Sequence, residues 1–112
     1  MPRYLISFDD GAMDSLRDEL PAVGEAAHAV VRAAQEAGVW VFGGGVERQR
    51  ASIVDTDGTV TDGPYPETKA VIGGFVIIDV SSREEALEWA ARFAVACRCA
   101  QEVREIMFDP LV

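Results

Sequence analysis

The sequence predicts a single α+β domain in which two helices cover one face of an antiparallel sheet. Its 112 residues match one ordinary domain, because a second hydrophobic core needs roughly another hundred residues. Apolar types make up 49% of the chain and charged types 26%, which is typical of a packed globular protein. Strand-like and helix-like patterns follow the order βαββαβ, with a small hairpin inserted before the third main strand.

The first elements are a strand and a helix. Arg3–Phe8 alternates and is rich in β-prone residues, and Asp9-Asp10-Gly11 ends this strand with turn residues. From Pro21 onward, apolar residues recur at helical spacing. Proline suits the first turn of a helix and Gly38 suits the position just after its end, so helix one lies between them.

The middle of the chain predicts a second strand and the hairpin. Val39–Phe42 is a short apolar run, which we expect Gly43-Gly44-Gly45 to close. Ala51–Val54 and Thr59–Thr61 flank Asp55-Thr56-Asp57-Gly58, whose aspartates and glycine favour a tight turn.

The last third predicts the central strand, helix two and a final strand. Ala70–Val80 is the most β-prone run, and its paired glycines, Gly73 and Gly74, imply a bulge or a close backbone approach. Ser82 and Glu85 form a capping box that begins an amphipathic helix, on which Glu88 and Arg92 are spaced for an ion pair. The core side of that helix is formed by Ala86, Trp89, Ala90, Phe93, Ala94 and Cys97. Gln101–Phe108 predicts the final strand, before Pro110.

Right-handed crossovers place both helices on one face of the sheet, which is the ferredoxin-like arrangement with an inserted β-hairpin. The other face of so apolar a sheet would then form a large exposed patch, so we expect a homodimer joined through it.

Charge and cysteine usage limit the partners. Ten Lys and Arg against 19 Asp and Glu give a formal charge of −9, which opposes general binding of nucleic acid or anionic lipid. The longest nearly uncharged apolar stretch, Val71–Ile78, is far shorter than the roughly 20 residues of a membrane helix. No secretory signal is visible at the N-terminus. Cys97 and Cys99 are too close for an unstrained disulfide, which suits a reducing cytoplasm.

Three blocks of sequence resemble the YCII-related proteins of the DGPF type. They are Asp62-Gly63-Pro64-Tyr65-Pro66-Glu67-Thr68-Lys69, then Ile72-Gly73-Gly74-Phe75 with Ile78-Asp79-Val80, then Glu85-Ala86-Leu87-Glu88-Trp89-Ala90. Tyr65 departs from the phenylalanine that the name of the type implies, but it keeps the ring. The resemblance implies a ferredoxin-like fold in a dimeric α+β barrel and says little about a reaction.

His28 is the first candidate for acid/base chemistry, because histidine exchanges its proton most easily near neutral pH and the chain has no other. The resemblance to YCII-like proteins implies a catalytic pair of a helix-one histidine and an aspartate after strand one. The matching positions are His28 with Asp10, or its neighbour Asp9. The alternative is a surface histidine near Glu25 and Arg32.

Four charged residues form a second candidate site. Lys69 is the only lysine and could present an ammonium to an anionic ligand, with Glu67 beside it in the same loop. Arg48 and Arg50 could add carboxylate recognition through their forked donors. All four could instead be solvated or form salt bridges.

Other signals are weak. Gly43-Gly44-Gly45 lacks the spacing and the helix of a nucleotide cradle. Cys97 and Cys99 with one distant histidine do not form a zinc motif, so we expect no metal and no cofactor. Two functions stay open: an acid/base enzyme (a lyase, isomerase or hydrolase) acting on a small anionic metabolite, or a noncatalytic module that binds or senses a metabolite.

Overall fold

The computed structural model describes residues 2–12, 18–47, 51–65 and 72–112 and shows a mixed α+β architecture. Its elements in chain order are β1 Arg3–Asp9, α1 Leu20–Glu36, β2 Trp40–Gly45, β3 Ser52–Val54, β4 Val60–Asp62, β5 Ile72–Asp79, α2 Arg83–Cys97 and β6 Glu102–Glu105.

Four strands form one antiparallel sheet in the order β2-β5-β1-β6, and β3 pairs with β4 as a separate hairpin. The first and third main strands are therefore central, and the second and fourth lie at the edges. This order is compatible with the predicted ferredoxin-like arrangement, because each helix connects strands that are not sheet neighbours.

One side of the sheet packs against both helices to form the core. Tyr4 and Ile6 of β1 and Ile78 of β5 point to the same side of the sheet and are almost fully buried. Trp89 of α2 and Ala34 of α1 close over them. The period of two in the strands and of about 3.6 in the helices places these apolar residues against one another.

The helix ends follow the local signals in the sequence. Pro21 lies in the first turn of α1, and Gly38 follows its end with a φ of 75°. The Ser82 hydroxyl accepts a hydrogen bond of 3.2 Å from the Glu85 N–H, which caps α2. The Glu85 carboxylate accepts a hydrogen bond of 2.9 Å from the Ser81 N–H, whereas the predicted capping box would use the N–H of Ser82.

The structure corrects two strand boundaries. Gly43-Gly44-Gly45 does not close β2 but forms its second half. A Cβ on Gly43 would lie 2.6 Å from the Phe75 carbonyl oxygen, so position 43 needs glycine. The final strand ends at Glu105 rather than Phe108, because the Ile106 N–H already bonds the carbonyl of Arg3, the first residue of β1.

The side of the sheet opposite the helices carries a second apolar surface. Leu5 pairs with Ile77, which in turn pairs with Phe42, so the three side chains share that side. The ring of Phe75 lies 6.0 Å from that of Phe42. We call these four residues, Leu5, Phe42, Phe75 and Ile77, the open face. Neither of the helices described has the length and apolar content of a transmembrane span.

Candidate functional site

A cavity of about 350 Å³ opens between the helices and the sheet, where β1 and β2 end and β5 and β6 begin. Its volume is within the usual range of small-molecule sites. We call it the helix–sheet cavity. Its lining is formed by Ile6, Phe8, Ala27, His28, Val31, Trp40, Gly43, Gly44, Gly45, Phe75, Val76, Phe93, Cys97 and Gln101.

The lining is mostly aromatic, aliphatic and glycine, with few polar side chains. His28 contributes an imidazole from α1, and Gln101 contributes an amide from the turn before β6. The Gln101 amide donates to the Cys99 carbonyl at 3.3 Å, which orients its head. A site of this composition holds the apolar body of a ligand and makes a small number of hydrogen bonds to it.

Phe8 lies at the end of β1 and is held against two glycines of β5. A Cβ on Gly74 would lie 2.6 Å from Phe8 Cε1, and one on Gly73 would lie 2.9 Å from Phe8 Cε2. Both distances are shorter than real Cβ contacts, so the ring occupies the space that side chains at these positions would fill. The predicted close approach at the paired glycines is therefore confirmed.

The same glycines set the path of the chain after β1. The pairing of β1 with β5 shifts register between Phe8 and Asp9, which is the predicted irregularity. A Cβ on Gly73 would also lie 2.9 Å from Asp10 Cα. The backbone of the two candidate aspartates thus turns directly over β5.

The structure places His28 at the cavity, although much of its side chain is exposed to solvent. Asp9 lines a separate cavity of about 220 Å³ at the other side of the strand end. The pairing of His28 with an aspartate stays a prediction.

Four charged residues form the second predicted site. Arg48, Arg50, Glu67 and Lys69 lie outside the described residues. Their roles as ligand-binding residues stay predictions.

Two thiols lie at the end of α2, and both are free. Cys97 is buried and lines the cavity, whereas Cys99 is partly buried. Burial, and to a smaller extent the neighbouring Cys99, raises the pKa of Cys97, and burial also raises the pKa of Cys99. Both side chains are therefore neutral packed thiols rather than reactive thiolates, which is the role that the sequence predicts for Cys97.

Within the described ranges, no three His, Cys, Asp or Glu side chains converge as a metal site would require. Sequence reasoning missed Phe8, Gln101 and Cys97 as residues of the site. The signal for Phe8 was the Gly73-Gly74 pair, since two glycines in a central strand leave room for a ring from the neighbouring strand. No local pattern indicated Gln101.

The fold and the cavity define a small α+β domain with a ligand-sized opening between its helices and the end of its sheet. Residues 3–108 match the family model of the YCII-related domain, and the chain belongs to that family. No curated protein shows significant similarity to the chain.

Proposed function

We propose that the protein binds a small molecule with an apolar body and one polar group in the helix–sheet cavity, where His28 meets the polar group. The observation that carries this proposal is the cavity of about 350 Å³ whose apolar lining is interrupted by His28 and Gln101. An imidazole can donate or accept a hydrogen bond near neutral pH, so it suits a hydroxyl, carbonyl or carboxylate.

Acid/base catalysis on a small anionic metabolite is the second candidate function. It is favoured because His28 lines the same cavity as Phe8, the residue that precedes Asp9 in β1. His28 would move the proton, Asp10 or Asp9 would orient its ring, and Lys69, Glu67, Arg48 or Arg50 would hold the substrate. The reaction would be that of a lyase, isomerase or hydrolase.

Benzyl alcohol and benzoate test the binding proposal, because they share a ring and differ in charge. We expect benzyl alcohol to shift the NMR signals of the His28 ring and to raise the melting temperature in a concentration-dependent way. Ala27→Phe, which fills the cavity, should abolish both effects. Ala26→Phe is the matched control, because Ala26 lies in the outer groove between the helices.

The outcomes separate the candidates. Absence of an effect by either compound on the unaltered protein would overturn the binding proposal. A strong preference for benzoate would favour the second candidate, since its substrate is an anion. In that case Asp10→Asn and Asp9→Asn should be compared, and the partner of His28 is the aspartate whose replacement moves the His28 ring signals.

We also propose that two copies pair through the open face to form a dimeric α+β barrel. Phe42 is 62% exposed, and it lies beside Phe75 and Ile77 on the same side of the sheet. An apolar surface of this kind on a folded domain marks an interaction site. A second copy is the simplest partner, since a two-fold axis covers both surfaces at once.

Two narrower assignments belong to the same proposal. Asp62-Gly63-Pro64-Tyr65 supports placement within the DGPF type of the family, and Tyr65 is exposed, so its extra hydroxyl meets solvent. The free thiols of Cys97 and Cys99 support a cytoplasmic location.

A further inference from the structure

Phe8 lines the cavity, and its ring packs against the backbone of two glycines in β5, Gly73 and Gly74. We propose that Phe8 determines how long a ligand the helix–sheet cavity admits. This inference rests on the proposed binding function and adds a specificity-determining residue to it.

The ring of Phe8 has no room to retreat toward the sheet. A Cβ built on Gly74 would lie 2.6 Å from Cε1 and 2.7 Å from Cζ of the ring, and one on Gly73 would lie 2.9 Å from Cε2. The ring therefore lies directly against the backbone of β5. A ligand that extends along the cavity to Phe8 meets a wall that cannot move back, because atoms packed at contact distance yield little.

Other large side chains of the lining are less suited to this role. Ile6 is 1% exposed and Phe93 is 3% exposed, so both belong to the packed interior and their replacement would disturb the fold. Phe8 is only partly buried, and it lines both the helix–sheet cavity and the cavity of about 220 Å³ beside Asp9. A smaller side chain at position 8 would extend the cavity toward Gly73 and Gly74, where no other side chain is needed to fill the space.

The glycine pair makes an opposite change possible. A methyl group on Gly74 would overlap the ring at 2.6 Å, so Gly74→Ala must push Phe8 away from the strand and into the cavity. Phe8→Leu and Gly74→Ala should therefore change the usable length of the cavity in opposite directions. A merely structural role for Phe8 would not produce such opposite shifts.

A series of neutral phenylalkanols, from benzyl alcohol to 4-phenylbutanol, measures this length. The dissociation constant, obtained from NMR titration of the His28 ring signals, should fall by about fourfold for each methylene that is buried. It should rise again once the chain reaches Phe8. We call the homologue with the lowest dissociation constant the cut-off. We expect the cut-off to move to a longer homologue in Phe8→Leu and to a shorter one in Gly74→Ala.

Two matched variants control for the substitutions themselves. Phe108→Leu makes the same change at a residue that is 90% exposed and does not line the cavity. Gly24→Ala adds a methyl group to α1 where no atom beyond the neighbouring residues and the helix backbone lies within 4 Å. Both should keep the cut-off of the unaltered protein. If Phe8→Leu does not fold, Phe8→Met replaces it, because methionine also lacks the rigid ring.

Each outcome has one meaning. A cut-off that is the same in Phe8→Leu, in Phe108→Leu and in the unaltered protein would overturn the role of Phe8 while leaving the binding function intact. Failure of every homologue to bind the unaltered protein would overturn the proposed function and, with it, this inference.

Discussion

At the scale of single residues, Gly74 is a position where the fold depends on the absence of a side chain. Gly74→Val should lower the free energy of unfolding by about 1–3 kcal/mol, because any Cβ overlaps the Phe8 ring. Urea unfolding followed by tryptophan fluorescence measures this change. Gly24→Ala should be neutral or slightly stabilising, since it adds helix propensity without a contact. Equal stabilities of Gly74→Val and the unaltered protein would show that the glycine is incidental.

Cys97 gives the stability of the protein a dependence on alkaline pH. Burial raises its pKa above the ordinary value of 9.0, so the folded state holds the thiol proton more tightly than the unfolded state. The resulting stabilisation is fully present below the unfolded pKa and is lost as pH rises through the folded pKa. Cys97→Ala should therefore lose less unfolding free energy than the unaltered protein when the pH is raised across this range. Parallel urea titrations at several pH values compare the two, and identical pH profiles would contradict the expectation.

At the scale of elements, the start of α2 depends on a side-chain cap. Ser82→Ala removes the acceptor for the Glu85 N–H and should cost about 1 kcal/mol of unfolding free energy. Ser81→Ala is the control, because it removes only the exposed hydroxyl hydrogen bond of 3.3 Å to Glu85, while Glu85 still accepts from the Ser81 backbone N–H at 2.9 Å. Thermal and urea unfolding of both variants provide the comparison. A Ser81→Ala loss as large as that of Ser82→Ala would mean that the hydroxyl of Ser82 is not the main cap.

Helix α2 also shows a side-chain contact within the helix that differs from the predicted one. Glu88 and Arg92 are spaced for an ion pair, but the Arg92 guanidinium lies 4.4 Å from the centre of the Trp89 ring. Trp89 packs in the core, and Arg92 lies over its ring. A cation above an aromatic ring gains both packing and electrostatic attraction. An exposed ion pair on one helix contributes only a few tenths of a kcal/mol to stability. A contact between a cation and an aromatic ring contributes about 0.5–1 kcal/mol, which is more.

At the scale of the whole molecule, the open face predicts a homodimer. Sedimentation at micromolar concentration should give about twice the chain mass of 12.1 kDa. Phe42→Glu should convert the protein to a monomer, because it places a charge on the apolar side of the sheet. Val95→Glu is the matched control on the helix side, where Val95 is 79% exposed. A mass of one chain for the unaltered protein would rule out the dimer.

The chain after β6 adds exposed apolar side chains next to the open face. Met107, Phe108, Leu111 and Val112 are each 88% exposed or more. Three of them line a cavity of about 390 Å³ together with Val41 and Ile77. The buried Oδ1 of Asp79, which borders this cavity, accepts no hydrogen bond from the described residues. A second copy on the open face would cover this apolar surface and could supply a donor to Asp79.

The sequence by itself determined the order of the elements. Periods of two and about 3.6 identify strands and helices, and Pro21, Gly38 and Ser82 mark where helices begin or end, because these effects act over a few residues. The paired glycines of β5 also predicted a close approach of another part of the chain, since a residue without a Cβ leaves room for it.

Only the tertiary structure decided which residues share the cavity. Phe8, His28 and the neighbouring pair Cys97 and Gln101 come from three distant parts of the chain, and each has a local role in a strand end, a helix or a turn. Their approach depends on the register of β1 against β5 and on the packing of α1 and α2 over one end of the sheet. Periodicity indicates which side of an element is buried, but not which side chains of other elements it will meet there, because that choice follows from strand order and long-range packing.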